Sequence, residues 1–412
     1  MNYNNVAIKQ SNNRTMKQLN KMIPFEQAYG IVMESYRTLG LERIDFINTL
    51  GRVLAENVVS DMEIPPFTKS AADGFACREQ DIKDTLDVIE TIAAGRKPEK
   101  KIGKNQCARI MTGAMIPEGA DCVLMVEDTK EISENKIQYE KESTDINICK
   151  KGEDIHEGDI VLEIGTIIKP QHIAILASVG NTSPLVSRRP MVGIISTGDE
   201  IVEPYVKPGI SQIRNSNSYQ LIAQVNRVGA IPNYHGIAED SEEKTYRIVM
   251  NALEENDIVL LTGGVSMGDF DFVADILKKA KIDILFNRVA VQPGKPTTFG
   301  VHEKALCFGL PGNPVASFVQ FELMVKPLIY KMMGADYEPV NIKMPMGTDY
   351  TRTKSVRESL LPVRLMENGT VMPVEYNGSA HIHALYEADG LIKIAVGETK
   401  ISKGEIVNVR QI

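Results

Sequence analysis

The pattern of apolar residues after Arg189 alternates between short buried runs and helical faces. Apolar runs predict strands at 191–196, 230–234, 258–261, 284–291 and 305–310. Apolar residues at helical spacing predict helices at 218–228, 241–253, 271–280 and 314–333. Strands that alternate with helices are typical of a doubly wound α/β domain. We therefore expect ligands to bind where these strands end, at their carboxyl ends.

The segments before and after this domain follow other patterns. Apolar positions on one helical face predict a helix at 24–39, and a second short helix is predicted at 50–58. Short apolar runs separated by Gly, Pro and Asn turns indicate a small β-rich domain at about 75–148. A helix returns within 164–179, so the β-rich part is inserted into another unit. Short strands and turns predict an all-β domain at 335–412.

Composition limits the classes of protein that fit. A chain of 412 residues has room for about two to four domains, and its net charge of −8 argues against general nucleic-acid binding. Its five cysteines are scattered, which favours a reducing, cytoplasmic location. They form no CxxC pair, which argues against a zinc ribbon. Residues 1–22 are polar and basic, and we expect a flexible extension rather than a signal peptide. No apolar run has the ~20 residues that span a bilayer.

The turn after the third predicted strand of the α/β domain is rich in small residues. Gly263, Gly264 and Ser266 offer backbone N–H groups and a hydroxyl to an anion, next to the start of a helix. Asp269 and Asp271 follow, and carboxylates would repel a phosphate unless a cation lay between them. The turn therefore predicts either a phosphate ligand with Mg²⁺ or aspartates that cap the helix.

Other predicted strands of this domain also end in candidate loops. Glu200 closes the first strand and could hold a metal or a ligand. Asp240 has the spacing of a capping box with Glu243, which does not exclude binding. Lys295 lies in a rigid Gly-Lys-Pro loop, as an oxyanion ligand or as a solvated lysine. The loop 311–314 begins a helix whose free N–H groups could accept an anion.

Two loops of the β-rich domain carry polar residues. Asp73 stands before a glycine in a tight turn, and Thr112 follows a predicted strand and also precedes a glycine. Each residue fits ordinary turn chemistry as well as contact with an oxyanion. The motifs of HExxH metalloproteases, P-loop NTPases and GxGxxG dinucleotide-binding proteins are absent from the sequence.

In the order of the chain, these loops resemble the MoeA family of molybdenum cofactor synthesis, and they are similar also to the E domain of gephyrin. The matching motifs are PPFTKSAADGFACR, RIMTGAMIPEGAD, GEDIHEGD, ISTGDEI, IRNSNSYQL, LTGGVSMGDFDF, VQPGKPTTFG and GLPGNPVASF. The resemblance covers most of residues 24–412.

The resemblance implies a multidomain fold of α/β plus β class. It divides the chain into an elongated linker domain in two pieces (23–60 and 150–187), an inserted β-rich domain (61–149), a MogA-like α/β domain (188–334) and a C-terminal β-barrel-like domain (335–412). It also implies a homodimer in which the active site lies between the α/β domain of one subunit and the inserted domain of the other.

The implied activity is that of a molybdopterin molybdenumtransferase. Such an enzyme takes adenylylated molybdopterin and molybdate, releases AMP and leaves molybdenum on the dithiolene sulfurs, with Mg²⁺ as the expected ion. A molybdopterin adenylyltransferase and apo-molybdoenzymes are conceivable further partners. The alternatives are a scaffold or receptor-binding protein of gephyrin type, or an adenylyltransferase acting one step earlier.

The family's functional residues correspond to positions in several of these loops. The resemblance implies functional roles for Asp73, Thr112, Glu200, Asp240 and Asp271. Of these, Glu200, Asp240 and Asp271 would hold Mg²⁺ and the pyrophosphate. The residues expected to bind substrate are Gly263, Gly264, Ser266, Arg288, Lys295, Pro311, Gly312 and Pro314. Where some members have a second lysine, this chain has Gln292, so the cations that bind molybdate are left open.

Overall fold

The computed structural model describes residues 21–239, 241–263, 273–375 and 378–412. Up to residue 187, its described helices and strands are α1 (Phe25–Glu34), β1 (Leu41–Arg43), β2 (Val58–Val59), β3 (Lys69–Ser70), β4 (Gly74–Cys77), β5 (Thr85–Ile92), β6 (Gln106–Ile110), β7 (Cys122–Met125), β8 (Thr129–Ser133), β9 (Lys136–Tyr139), β10 (Ile148–Cys149), β11 (Ile160–Leu162), α2 (Pro170–Ser178) and β12 (Leu185–Ser187).

The first predicted helix forms as α1, which is shorter than the apolar pattern suggested. Ala28 and Val32 on its inner face are fully buried. It ends just before Ser35, whose hydroxyl donates a hydrogen bond of 2.7 Å to the carbonyl of Ile31. A serine that bonds the backbone in this way competes with continuation of the helix.

The short helix predicted at 50–58 is wrong. Val53 and Leu54 are both buried, and they pair with two different partners. Val53 forms a β-bridge with Ile167, and Leu54 forms one with Val186. Because these tertiary partners satisfy the backbone groups of a buried segment, they override its local helical spacing.

The β-rich segment folds into a six-stranded sheet in the order β7-β4-β6-β5-β9-β8. β4 pairs antiparallel with β6, with Gly74 opposite Ile110. Asp73 comes directly before β4 and Thr112 comes shortly after β6. Antiparallel pairing therefore brings these two candidate residues to the same edge of the sheet.

The predicted alternation of strands and helices forms a mixed sheet in the order β16-β13-β17-β21-β20-β18. Its strands β16, β13, β17 and β21 are parallel, and the pairs β21–β20 and β20–β18 are antiparallel. The described elements of this part are β13 (Met191–Thr197), β14 (Ile201–Val202), β15 (Ile213–Arg214), α3 (Asn217–Arg227), β16 (Ile231–Ala238), α4 (Glu242–Glu255), β17 (Ile258–Thr262), α5 (Val273–Lys279), β18 (Asp283–Phe286), β19 (Val291–Gln292), β20 (Thr298–Val301), β21 (Leu306–Leu310), α6 (Pro314–Gln320), a π-helical turn (Phe321–Val325) and α7 (Lys326–Met332).

Helices cover both faces of this sheet, as expected for the α/β class. Consecutive residues of β13 point to opposite faces, so Ile194 packs in one core with Leu221 of α3. Ile195 packs in a second core with Leu253 of α4. Burial on both faces explains why the central strands are continuous apolar runs.

The strand predicted at 284–291 is two strands. β18 stays in the mixed sheet, whereas β19 pairs parallel with β24 (Glu358–Leu365) of the C-terminal part, Val291 opposite Glu358. Between them the backbone bonds to Ile23, which donates to the carbonyl of Arg288 and accepts from the N–H of Ala290. This long-range pairing has no local signal in the sequence.

The long helix predicted after residue 313 forms as α6, the π-helical turn and α7 in direct succession. Glu322, within the π-helical turn, is 1% exposed.

None of the described helices is long and apolar enough to span a membrane.

The C-terminal part is a third six-stranded sheet in the order β19-β24-β26-β28-β22, with β25 added to β24. Val363, Ile392 and Val409 lie in its core. Its described strands are β22 (Asn341–Pro345), β23 (Tyr350–Thr351), β24 (Glu358–Leu365), β25 (Val371–Pro373), β26 (Gly390–Ile394), β27 (Lys400–Ile401) and β28 (Ile406–Gln411). Because β19 belongs to this sheet, the loop that follows it is anchored beside the C-terminal part.

Candidate functional site

The strands β13 and β17 define a crevice at one edge of the α/β sheet. The chain leaves β13 toward β16 on one side and then returns past it to β17 on the other. Ligands in open α/β sheets bind at such a switch point, outside the carboxyl ends of the strands. Here β13 ends at Thr197 and is followed by Gly198, and β17 ends at Thr262 and is followed by Gly263.

Two glycines allow the backbone to close up in this crevice. Gly263 has φ of +86°, and a Cβ there would lie 2.3 Å from the carbonyl oxygen of Thr197. A Cβ on Gly312, in the loop after β21, would lie 3.4 Å from the Cα of Gly263. Loops from three adjacent strands therefore meet at backbone distance, and a side chain at Gly263 would force them apart.

Glu200 lies beside the crevice on a short loop that is tied down at its far end. Its side chain is exposed, and its carbonyl accepts from the N–H of Ile213 at 2.8 Å, next to the β14–β15 pair. Gly198 has φ of +132°, and a Cβ there would be 2.5 Å from a carboxylate oxygen of Glu200. The glycine thus lets the carboxylate lie directly over the end of β13.

Three residues after Glu200, Glu203 fastens the end of this loop. It accepts hydrogen bonds from the hydroxyls of Tyr234 (2.7 Å) and Tyr219 (2.9 Å). Tyr234 in turn accepts from the amide of Asn215 at 2.9 Å. Burial, and then the bond to Glu203, raise the pKa of the Tyr234 hydroxyl, which keeps it a neutral donor.

A cavity of about 270 Å³ lies between the loop after β19, the loop after β21 and the C-terminal part. Lys295 and Arg357 both line it, and neither forms a salt bridge within the described ranges. Asn313 and Ser379 line it too, and the Asn313 amide donates to the Ser379 hydroxyl at 2.8 Å. The cavity therefore combines two cations with neutral polar groups, which suits an oxyanion.

The loop that carries Lys295 is held from beneath. The amide of the fully buried Gln320 donates to the carbonyl of Pro293 at 3.1 Å, and the hydroxyl of Thr297 donates to that of Gly294 at 2.7 Å. Gly294 has φ of +114° and lies so close to Gln320 that a Cβ would overlap its side chain. The position of Lys295 thus depends on a glycine conformation and a buried amide.

Asp73 and Thr112 form a separate group on the β-rich sheet. Asp73 accepts from the backbone N–H of Thr112 at 2.6 Å and from its hydroxyl at 2.8 Å. These two bonds, the backbone one first, hold the pKa of the Asp73 carboxyl below its usual range. Within the described residues, no hydrogen bond or ion pair joins this group to Glu200 or to Lys295.

The structure thus brings together only some of the residues proposed from sequence. Gly263, Gly312 and Glu200 surround the crevice, and Lys295 and Pro311 line the cavity. Pro314 begins α6 beyond Asn313, and its carbonyl faces the amide of Gln220. Arg288 is not one of the residues that line the cavity. The predicted site residues that lie outside the described ranges are Asp240, Gly264, Ser266 and Asp271.

Sequence reasoning missed Arg357 and Ser379. Arg357 stands just before β24 in an ordinary polar segment, and Ser379 directly follows Gly378. They reach the cavity because β24 pairs with β19 and because the Val315 N–H of α6 donates to the Ser379 carbonyl at 3.1 Å. In the part of the chain that the structure describes, no cluster of three His, Cys, Asp or Glu residues is placed to hold a metal ion.

Comparison with known proteins identifies the family of the chain. Residues 23–180 match the MoeA N-terminal region (domain I and II), residues 193–331 match a probable molybdopterin binding domain, and residues 343–412 match the MoeA C-terminal region (domain IV). A molybdopterin molybdenumtransferase of Staphylococcus epidermidis is 39% identical over 403 residues, which cover 94% of this chain and 95% of that protein. The chain belongs to the MoeA family.

Other members of the family agree over nearly the whole length. A molybdopterin molybdenumtransferase of Staphylococcus aureus is 34% identical, with 94% of this chain and 95% of that protein covered. The crystal structure of the molybdopterin biosynthesis moeA protein from Pyrococcus horikoshii OT3 has a TM-score of 0.80 at 29% identity, covering 95% of this chain and all of that one. The predicted family is therefore confirmed.

Membership of the MoeA family gives the chain a role in molybdenum cofactor biosynthesis, as a transferase. The two alternatives, a gephyrin-type scaffold and an adenylyltransferase, are not favoured. The predicted class, a multidomain fold of α/β plus β type, agrees with the family and with the sheets described above.

Proposed function

We propose that the chain takes adenylylated molybdopterin and molybdate, places molybdenum on the dithiolene sulfurs of that substrate and releases AMP. The observation that carries this proposal is the 270 Å³ cavity in which Lys295 and Arg357 have no carboxylate partner among the described residues. Molybdate is a tetrahedral dianion, so two cations match its charge, and Asn313 and Ser379 supply further polar contacts.

The adenylylated end of the substrate fits the neighbouring crevice. Its pyrophosphate would lie against the closely packed backbone at Gly263 and Gly312, outside the carboxyl ends of β17 and β21. The crevice and the cavity share the loop after β21, because Pro311 lines the cavity and Gly312 contacts Gly263. A substrate that spans both would present its sulfurs to molybdate and its phosphates to the sheet.

The residues at the crevice fit Mg²⁺ by their chemistry. Glu200 offers an exposed carboxylate at the end of β13, and carboxylate oxygen is the ligand type that Mg²⁺ prefers. Glu200, Asp240 and Asp271 would hold the ion together. When bound, Mg²⁺ would neutralise charge on the phosphoanhydride.

The protein need not supply a nucleophile, because the sulfurs that take up molybdenum belong to the substrate and water can cleave the phosphoanhydride, which releases AMP and leaves a phosphate on molybdopterin. Burial raises the pKa of the Cys107 and Cys307 thiols to about 12, so both stay protonated at neutral pH. Cys77 and Cys122 are buried as well. The chain's own contribution is therefore to bind, orient and neutralise charge.

The proposed active site is completed by a second copy of the chain. Asp73 and Thr112 are prepared as an ionised carboxylate and a hydroxyl, yet they lie on a different sheet from Glu200. The partner subunit in a homodimer would bring this pair to the crevice. Exposed apolar side chains on the linker segments are available for such an interface, namely those of Ile47, Leu50, Val59, Ile160 and Ile164.

The activity is tested by giving purified protein adenylylated molybdopterin, Mg²⁺ and molybdate and measuring AMP and active cofactor. We expect Arg357→Gln to raise the KM for molybdate about tenfold or more, because one of two unpaired cations is lost. Arg364→Gln is the matched control, since Arg364 is exposed in the same sheet and its nearest carboxylate oxygen, on Glu387, is 3.7 Å away. Absence of AMP release by folded wild-type protein would refute the proposed function.

The shared site is tested by mixing two inactive variants, Asp73→Ala and Glu200→Ala. In a mixed dimer one site carries both substitutions and the other carries neither. Random pairing should therefore restore about one quarter of the wild-type activity. If each variant is inactive alone and the mixture, shown to exchange subunits, stays inactive, the two residues act within one subunit.

A further inference from the structure

One amide side chain joins two strand ends at the crevice. Asn217, the first residue of α3, donates through Nδ2 to the hydroxyl oxygen of Thr262 and to the carbonyl oxygen of Gly312, both at 2.8 Å. Thr262 is the last residue of β17, and Gly312 follows β21. Asn217 therefore bridges two neighbouring loops from a helix that belongs to neither.

The strand pairing between β17 and β21 does not extend to Gly263 and Gly312. Its last pair is Thr262 with Leu310, so Gly263 and Gly312 lie beyond this pairing. Yet Gly263 and Gly312 are packed backbone to backbone just past that point. Where the sheet ends, the two strand ends are joined by the amide of Asn217 and by a longer bond of 3.4 Å from the Thr262 hydroxyl to the Pro311 carbonyl.

The arrangement needs an asparagine and carries an energetic cost. The two acceptors use both N–H groups of the amide, and an aspartate has none to donate. Among the residues that the structure describes, the buried Oδ1 of Asn217 has no hydrogen-bond partner, and neither has the buried Oγ1 of Thr197. An unpaired buried oxygen is destabilising, so stability alone does not account for this residue.

We propose that Asn217 is a positioning residue for the transfer reaction, which fixes Gly263 and Gly312, just past the ends of β17 and β21, in the spacing that the adenylylated substrate requires. It acts through Thr262 and Gly312. This proposal rests on the proposed function for its predicted effect on KM. The bridge from Asn217 to Thr262 and Gly312 does not depend on that function.

The test is Asn217→Asp, which keeps the shape and removes both donors. An acidic residue in the first turn of α3 is favoured by the helix dipole, so the fold should be retained. We expect KM for adenylylated molybdopterin to rise about tenfold or more, because small displacements of binding groups are costly. Asn341→Asp is the control, since the Asn341 amide donates to the Pro339 carbonyl (3.0 Å) on the exposed face of the C-terminal sheet.

Two readouts separate positioning from general destabilisation. Hydrogen exchange should become faster in peptides covering 258–263 and 306–312 in Asn217→Asp, and not in Asn341→Asp. The double variant Asn217→Asp/Thr262→Val should lose less kcat/KM than the product of the two single-variant fold-losses. This is expected because the two residues act as one unit. Unchanged exchange would show that the Asn217 bridge does not hold the two strand ends, whether or not the protein releases AMP. Faster exchange with wild-type KM would overturn the role in the reaction alone.

Discussion

Asp73 accepts two hydrogen bonds from Thr112, at 2.6 Å from its backbone N–H and at 2.8 Å from its hydroxyl. The two residues are 39 positions apart in the chain and meet because β4 and β6 are antiparallel neighbours. Both bonds favour the ionised carboxyl, and the backbone bond has the larger effect. The pair is therefore set to present a carboxylate even in mildly acidic solution.

Removing the Thr112 hydroxyl should raise the pKa of Asp73 part of the way to its ordinary value, because the backbone bond remains. In Thr112→Val the acid limb of the pH–activity profile should therefore move to higher pH. Because the native pKa of Asp73 is lowered, its carboxylate stabilises the folded protein above the unfolded-state pKa. This contribution to the free energy of unfolding is lost as the pH falls through the native pKa. Carboxyl NMR titration of Asp73 measures the shift directly, and Thr112→Ser, which keeps a hydroxyl, is the control. An identical titration in Thr112→Val would contradict this account.

Substituting Gly294 should weaken molybdate binding. Gly294→Ala places a methyl group into the side chain of Gln320 and strains a backbone with φ of +114°. Gly397→Ala is the control, since Gly397 has φ of +90° with nothing within 4 Å of the added carbon. Backbone strain of about 1–3 kcal/mol is common to both variants. Only Gly294→Ala should also raise the KM for molybdate, and equal kinetic effects would contradict a role for Gln320 in supporting the loop.

Tyr234→Phe should loosen the loop that carries Glu200. The substitution removes a donor to Glu203 and leaves the amide of Asn215 without its acceptor, which should cost about 1–3 kcal/mol of unfolding free energy. We expect a higher Mg²⁺ concentration for half-maximal activity. Tyr205→Phe is the control, because Tyr205 is 84% exposed. Mg²⁺ titrations of both variants that match the wild type would separate the tyrosine from the Glu200 loop.

The buried carboxylate of Glu322 should matter for stability more than for chemistry. Glu322 accepts from Gln224 (2.8 Å) and Lys326 (3.0 Å), and it also pairs with Arg227. Glu322→Gln leaves these cations without a counter-charge next to the π-helical turn, at a cost of about 3 kcal/mol. Urea unfolding measures the loss.

An exposed ion pair provides the control for Glu322. Glu254 pairs with Lys304, and both side chains are about half exposed. Glu254→Gln should therefore cost less than about 1 kcal/mol. Similar losses in the two variants would show that burial does not set the strength of the Glu322 cluster.

The sequence by itself determined the family and most of the elements. Apolar runs located β13, β17 and β21, because strands buried on both faces leave a continuous apolar signal. The glycine loops gave the family, and they pointed to Glu200, Gly263 and Lys295 at the strand ends, since tight turns and close backbone approach demand particular residue types.

Only the tertiary structure decided how these loops are placed. No local pattern marks Arg357 or Ser379 as lining the cavity, because pairing of β24 with β19 brings them there. The same holds for the bridge from Asn217 to Thr262 and for the contact between Asp73 and Thr112. A sequence records which residues can bind, whereas long-range strand pairing and packing decide which of them share a site. Physically, local spacing sets conformation over a few residues, and contacts across tens or hundreds of residues depend on burial of the whole chain.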